Sequence, residues 1–133
     1  AMISMKIVLE KGEDGYIVAS APALKGCWSQ GKTEAEAIKN IREAIQLYLE
    51  TPPKETSRSK KRKVLKLAYE PQTTVVLGRQ IVKAFEKMGY YRTGQRGSHI
   101  KIRNDETEST LIIPDHKEVD RWTLRGILRD AEI

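Results

Sequence analysis

The sequence is poor in residues that build covalent crosslinks, metal sites and membrane spans. Cys27 is the only cysteine among 133 residues, and the chain has two histidines. One cysteine excludes an intrachain disulfide and a multi-thiolate metal site. No apolar run approaches the roughly 20 residues that a membrane-spanning helix needs, and the start of the chain lacks the basic and long apolar regions of a signal peptide. We therefore expect a cytoplasmic protein with no metal and no organic cofactor.

Composition and charge distribution suggest two small globular units. Hydrophobic residues make up 39% and charged residues 32% of the chain, as in ordinary globular proteins. The formal charge is −1 for residues 1–53, +5 for 54–70 and +2 for 71–133. The positive charge is therefore concentrated in one segment rather than spread over a nucleic-acid-binding surface.

This basic segment has the composition of a connector. It follows Pro52 and Pro53, is rich in Lys, Arg and Ser, and includes Pro71, all of which favour a flexible linker. We interpret residues 54–74 as a linker between a first domain, 1–53, and a second domain, 75–133. Its lysines are either solvated or make non-specific phosphate contacts. Residues 64–69 also have the composition of an extra strand that would close the first domain.

The first domain is predicted to be β-β-β-α. Residues 5–9, 16–19 and 27–30 are short β-prone runs separated by glycine-containing turns. Thr33 and Glu36 form a capping box that starts a helix. The apolar residues that follow recur at spacings of three and four and are Ile38, Ile41, Ile45 and Tyr48, flanked by Ala37, Ala44 and Leu49.

This half contains no evident catalytic group. Its carboxylates, which include Glu10, Glu13, Asp14 and Glu43, are interpreted as solvated. Cys27 is interpreted as a packing residue, since free cysteines are commonly buried and this half has no histidine to activate one. We therefore interpret the first domain as a binding module.

The second domain is predicted to be α-β-β-β-α, the outline of a double-stranded-RNA-binding-like fold. Residues 79–88 favour a helix, 90–93, 98–103 and 109–113 favour strands, and 94–97 favour a hairpin turn. The first helix would bury Ile81, Val82, Phe85 and Met88 and end at Gly89, and the last would bury Leu124, Ile127, Leu128 and Ala131. Together the two domains predict an α+β protein.

Alternation along the strand at 98–103 gives its two faces different chemistry. Ile100 and Ile102 share one face, and His99, Lys101 and Arg103 share the other. Side chains two residues apart are about 7 Å apart along a strand, comparable to neighbouring phosphates of a nucleic acid, and Arg96 in the preceding turn adds a cation. A histidine there is either a general base that activates an RNA 2′-hydroxyl or an ordinary surface side chain.

Two sets of motifs resemble the two partners of a toxin–antitoxin system. Residues 78–133, with Arg96-Gly97-Ser98-His99, the Pro114 and His116 step, and Thr123-Leu124-Arg125, resemble the HicA family of mRNA-cleaving ribonuclease toxins. Residues 6–50 resemble the HicB antitoxins, whose partial ribonuclease-H-like fold lacks the nuclease carboxylates and whose role is to bind and block the toxin.

The HicA resemblance implies that His99 is the catalytic residue and that Gly97 and Ser98 form the turn that presents it. We predict RNA binding by Arg96, Gly97, Ser98, Lys101 and Arg103. Two interpretations of His116 stay open: a second proton-transfer group, or a capping or solvent-exposed histidine. Trp122 departs from the family, which usually has glycine before Thr-Leu.

The combined resemblance predicts a fused toxin–antitoxin protein. We expect a latent, metal-independent endoribonuclease of mRNA, with His99 outward on an exposed β-ribbon. In the fused protein this face would be covered by the HicB-like half of the same chain or of a domain-swapped mate, in a homodimer or higher homo-oligomer. The DNA-binding segment usual at the end of HicB is missing from this sequence, so we expect no DNA partner, and the lack of a long apolar run predicts no membrane partner. The alternative is a catalytically inactive RNA-binding or assembly module of the same origin.

Overall fold

The α+β class is confirmed. The computed structural model describes residues 4–50 and 77–132, which form two three-stranded antiparallel sheets and three helices. The predicted linker at 54–74 and the possible strand at 64–69 lie outside the described residues. In chain order the elements are β1 (Val8–Lys11), β2 (Ile17–Ser20), β3 (Trp28–Gly31), α1 (Glu34–Leu49), α2 (Gly78–Glu86), β4 (Tyr91–Arg96), β5 (His99–Asn104), β6 (Ser109–Pro114) and α3 (Arg121–Asp130).

The first half, residues 4–50, is a β1-β2-β3 meander covered on one face by α1. The helix begins as predicted, because the Thr33 hydroxyl accepts a hydrogen bond from the Glu36 amide at 3.1 Å. The buried face of α1 differs slightly from the predicted one. Leu47 is fully buried, whereas Leu49 is 54% exposed. The residues that α1 buries are Ala37, Ile41, Ala44 and Leu47.

The second half, residues 77–132, is a β4-β5-β6 meander that packs against α2 and α3. Helix α2 ends at Glu86, and Gly89 follows in the left-handed region at φ 98°. Met88 lies beyond the last helical turn and is 46% exposed, so the prediction that it is buried is wrong. None of the helices within 4–50 and 77–132 has the length and apolar character needed to cross a membrane.

The hairpin between β4 and β5 is tighter than predicted. Strand β4 continues to Arg96 and β5 begins at His99, so the turn contains only Gly97 and Ser98. Gly97 has φ 54°, a conformation that glycine adopts without strain. The four-residue turn predicted at 94–97 is therefore wrong, and Arg96 lies directly opposite His99.

The two halves share their apolar cores. Ile112 of β6 packs in the cluster of the first half, while Val18 and Trp28 of the first half pack in the cluster of the second. The amide of Ile112 donates to the carbonyl of Gly26 at 2.9 Å, next to a parallel bridge with Cys27. Cys27 is buried there, and burial raises the pKa of its thiol to about 12, so it lacks the thiolate of a nucleophile.

Candidate active site

Strand β5 separates two chemically different faces of the second sheet. Ile100 and Ile102 pack in the apolar core, and we call their side the isoleucine face. The opposite side, which we call the histidine face, carries His99, Lys101 and Arg103, as the alternation predicts.

The expected exposure of the histidine face is wrong. His99 is 0% exposed and Lys101 is 7% exposed, because α1 and β3 of the first half lie over this side of the sheet. Three polar side chains, those of Ser29, Ser98 and Glu43, lie within hydrogen-bonding distance of the His99 ring. The ring therefore has the predicted orientation on the sheet but no access to solvent.

Both ring nitrogens of His99 are held by side chains of the first half. Nδ1 lies 2.7 Å from Oε1 of Glu43 in α1, and Nε2 lies 2.6 Å from Oγ of Ser29 in β3. A carboxylate can only accept, so we assign the ring proton to Nδ1. The Nε2 lone pair then accepts the Ser29 hydroxyl proton.

The pKa values of this pair favour a neutral imidazole and an ionised carboxylate. Burial lowers the pKa of His99, and the opposing effect of Glu43 does not overcome it. Desolvation acts to raise the pKa of Glu43, but hydrogen bonds from His99 and Ser98 outweigh it, so this pKa is lowered. Glu43 is therefore charged, and its carboxylate accepts hydrogen bonds from His99 and Ser98 of the second half.

The order Ser29, His99, Glu43 matches the hydrogen-bond order of a serine hydrolase triad. Ser29 and His99 are both 0% exposed, however, so neither is reached by a substrate in this state. The arrangement is a closed contact between the halves rather than an open hydrolytic site.

Glu43 also contacts the hairpin turn that precedes His99. The Ser98 amide donates to its Oε1 at 3.0 Å. A Cβ atom at position 97 would lie 2.5 Å from a carboxylate oxygen of Glu43. Gly97 is therefore needed both for its positive φ and for the close approach of this carboxylate.

Two predicted RNA-binding cations are engaged by the end of α1. Nζ of Lys101 donates to the carbonyls of Tyr48 and Glu50, both at 2.8 Å, where the negative end of the helix dipole favours a cation. Arg96 forms a partly exposed ion pair with the Glu50 carboxylate. Arg103 instead finds its partners in the second half, donating to the Thr110 hydroxyl at 2.9 Å and lying 3.5 Å from Asp105.

His116 lies beside His99 and is half-buried. Their ring centroids are 6.1 Å apart, with an interplanar angle of 64°. Burial lowers the pKa of His116, against opposing effects of Glu36, Asp115 and Glu43. Trp122, at the start of α3, packs against the apolar cluster of the second half. Within 4–50 and 77–132, no group of three His, Cys, Asp or Glu side chains is placed to hold a metal ion.

A second polar contact joins the halves at the start of α3, around Asp120. Its carboxylate accepts amide protons from Glu13 at 2.9 Å and Asp14 at 2.8 Å in the β1–β2 turn, and from Trp122 at 2.8 Å in α3. Gln30 of β3 completes the contact, since its Oε1 accepts from the Asp120 amide at 2.8 Å. We call this group the Asp120 contact.

The residues that close the site were not predicted from the sequence. Glu43 was interpreted as solvated, which is wrong, and Ser29, Gln30 and Asp120 were not singled out. One available signal was the seven-residue spacing of Glu36, Glu43 and Glu50. That spacing places carboxylates on one side of a helix, about 10.5 Å apart.

Comparison with known proteins identifies both halves. The family model described as the HicB-like antitoxin of a bacterial toxin-antitoxin system matches residues 5–76, and the HicA toxin model matches residues 78–133. The chain therefore combines an antitoxin domain and a toxin domain. It belongs to the HicB-like antitoxin family through its first part and carries a HicA toxin domain in the same chain.

Several curated relatives match about a third of this chain. A UPF0150 protein of Thermoplasma acidophilum is 48% identical over 52 residues, which cover 39% of this chain and 75% of that protein. A UPF0150 protein of Helicobacter pylori is 62% identical over 42 residues, covering 32% and 57%. An uncharacterised 14.9 kDa protein of Haemophilus phage HP1 is 48% identical over 44 residues, covering 33% and 32%. No solved structure is significantly similar to this chain.

Proposed function

We propose that this protein is a latent, metal-independent endoribonuclease whose HicA-like half is blocked by its own HicB-like half. His99 is the catalytic base, and Arg96, the Gly97-Ser98 turn, Lys101 and Arg103 hold the RNA. The observation that supports this most directly is the fully buried His99 ring, whose two nitrogens are engaged by Glu43 and Ser29.

The chemistry requires one free imidazole nitrogen. A neutral His99 would accept the proton of an RNA 2′-hydroxyl, and the 2′-oxygen would attack the adjacent phosphorus while nearby cations stabilise negative charge on the phosphate. In the closed state the Nε2 lone pair already accepts from Ser29. Cleavage therefore requires β3 and α1 to move away from the histidine face.

The first half competes with RNA for the same positions. Glu43 accepts from the turn amide and from His99, Glu50 pairs with Arg96, and the last carbonyls of α1 accept from Lys101. These oxygens lie where phosphate oxygens would bind. Because both halves belong to one chain, cover and site meet at an effective concentration of order millimolar.

The proposed cover lies within one chain. The contacts that cover His99 can form within one copy of the chain. A domain-swapped homodimer would use the same contacts between copies, and a monomeric mass in solution would exclude it.

Opening the cover from the antitoxin side tests the function. In the full chain, Glu43→Lys places a cation against His99, and we expect RNA cleavage to rise by roughly 30-fold, since losing hydrogen bonds to a charged acceptor costs about 2 kcal/mol. Glu10→Lys, an exposed β1 position with the same charge change, serves as the control and should leave cleavage unchanged.

The catalytic role of His99 is tested in the same background. Adding His99→Ala to Glu43→Lys should abolish the gained cleavage on a denaturing gel. Equal cleavage by the wild type and Glu43→Lys would contradict the blocking role. RNA binding without cleavage by Glu43→Lys would support the alternative, an inactive RNA-binding or assembly module. Trp122, which stands where the family usually has glycine, is the sequence feature that favours this alternative.

A further inference from the structure

His116 is an imidazole at the site that a one-base mechanism leaves unused. Its ring centroid lies 6.1 Å from that of His99. Among residues 4–50 and 77–132, no side chain makes a hydrogen bond to its ring nitrogens, whereas both nitrogens of His99 are engaged. A side chain that serves only to cap a loop would use a ring nitrogen for the cap.

The backbone around His116 is fixed from two directions. The His116 carbonyl accepts from the amide of Gly78 at the start of α2, at 3.0 Å. The preceding amide, of Asp115, donates to the Ser98 carbonyl at 2.6 Å, which ties this step to the turn before His99. Both imidazoles are therefore placed by β5, β6 and their immediate extensions, as a preorganised site requires.

The charges around His116 suit a proton donor. Burial lowers the pKa of His116 in the closed state, whereas the charges of Glu36, Asp115 and Glu43 all act to raise it and so favour the imidazolium form. Asp115 belongs to the same half as His116. Its favourable effect therefore persists when α1 is displaced, although it is partly offset by the Arg79 guanidinium, which pairs with Asp115 at 3.3 Å in the same half.

We propose that His116 is the general acid of the cleavage reaction and protonates the 5′-oxygen leaving group while His99 acts as the base. This inference rests on the proposed ribonuclease function. His99 takes the 2′-hydroxyl proton, the 2′-oxygen bonds to phosphorus, the bond from phosphorus to the 5′-oxygen breaks, and that oxygen receives the proton of the His116 imidazolium. The products are a 2′,3′-cyclic phosphate and a 5′-hydroxyl.

The distance between the two imidazole rings is compatible with one acting as the base and the other as the acid. In an in-line displacement the entering and leaving oxygens lie on opposite sides of phosphorus, and each catalytic group lies about 2.6–3.2 Å from its oxygen. Two imidazoles that flank one phosphate must therefore be several ångströms apart. The 6.1 Å separation of the His99 and His116 centroids is compatible with that distance.

The experiment uses the full chain carrying Glu43→Lys as the open reference. Two substrates are compared at the cleavage position mapped on natural RNA: an oligoribonucleotide, and the same oligonucleotide with sulfur in place of the bridging 5′-oxygen. A thiolate leaves without being protonated. We expect His116→Ala to slow cleavage of the oxygen substrate by about 10²-fold or more and that of the sulfur substrate by only a few-fold, whereas His99→Ala slows both.

A pH profile and a second variant separate catalysis from folding. The rate of the reference should fall at high pH as the acid loses its proton, and His116→Ala should lack this limb. His116→Asn keeps a polar side chain of similar size and should behave like His116→Ala, with an unchanged thermal unfolding midpoint.

The other outcomes distinguish failure of the acid role of His116 from failure of the proposed ribonuclease function. Equal losses on both substrates, or no loss on either, would overturn the acid role while leaving His99 and the ribonuclease proposal standing. If the open reference cleaves neither substrate although it is folded, the proposed function itself fails and the assignment of His116 falls with it.

Discussion

Both faces of the second sheet are covered, but by different chemistry. On the isoleucine face, Ile100, Ile102, Leu111 and Ile113 are at most 1% exposed under α2 and α3. On the histidine face, His99 and Lys101 are covered by hydrogen-bond acceptors of the first half.

This difference indicates which contact is permanent. Apolar side chains gain roughly 25 cal/mol per Å² when they leave water, so the isoleucine face must stay covered for the half to fold. The polar groups on the histidine face would be solvated if uncovered, so this part of the cover is suited to reversible removal. Its removal would also expose the apolar residues that the halves share, which are Ile112, Val18 and Trp28.

The largest expected effect comes from the isoleucine side. Phe85 of α2 is 2% exposed and packs in this core, so Phe85→Ala should lower the free energy of unfolding by about 3–5 kcal/mol. Urea unfolding of the full chain measures this. Met88→Ala, at a position that is 46% exposed, should change it by less than about 0.5 kcal/mol. Similar values for the two variants would refute the assignment of the permanent core.

The next effect comes from the Asp120 contact. Asp120→Ala leaves the amides of Glu13, Asp14 and Trp122 without their acceptor, and we expect a loss of about 2–3 kcal/mol in the free energy of unfolding. Asp120→Asn keeps one accepting oxygen and should lose less. The same urea titration compares them, and an Asp120→Ala protein as stable as the wild type would show that this contact does not hold the halves together.

What could be predicted from the sequence was local and periodic. The alternation of β5 follows from a period of two, so the separation of Ile100 and Ile102 from His99 was available without a structure. The partners of His99 were not, because Glu43 and Ser29 lie 56 and 70 residues away in the chain. No period says which face of α1 will lie on which face of a distant sheet.

The same reasoning explains the smaller errors. The stripe of α1 correctly included Ile41 but assigned Leu49 to the packed side, although Leu49 lies about 200° around the helix from the buried Leu47. Met88 was wrongly assigned because α2 ends two residues before it. Helix ends are set by the surroundings more than by periodicity.

The smallest expected effect is a pH dependence that distinguishes the two faces. The folded-state pKa values of His99 and His116 are lowered from the ordinary value of 6.5. As pH falls below that value, the unfolded chain binds protons that the folded chain does not, so the free energy of unfolding should decrease between pH 7.5 and 5.5. Glu43, whose pKa is lowered from 4.5, contributes only at lower pH.

Urea midpoints at the two pH values measure the decrease, which we expect to be smaller than the effect of Asp120→Ala. His99→Gln should reduce it, whereas Phe85→Ala should shift both midpoints and leave their difference intact. A pH dependence unaltered in His99→Gln would mean that the buried imidazole is not its source.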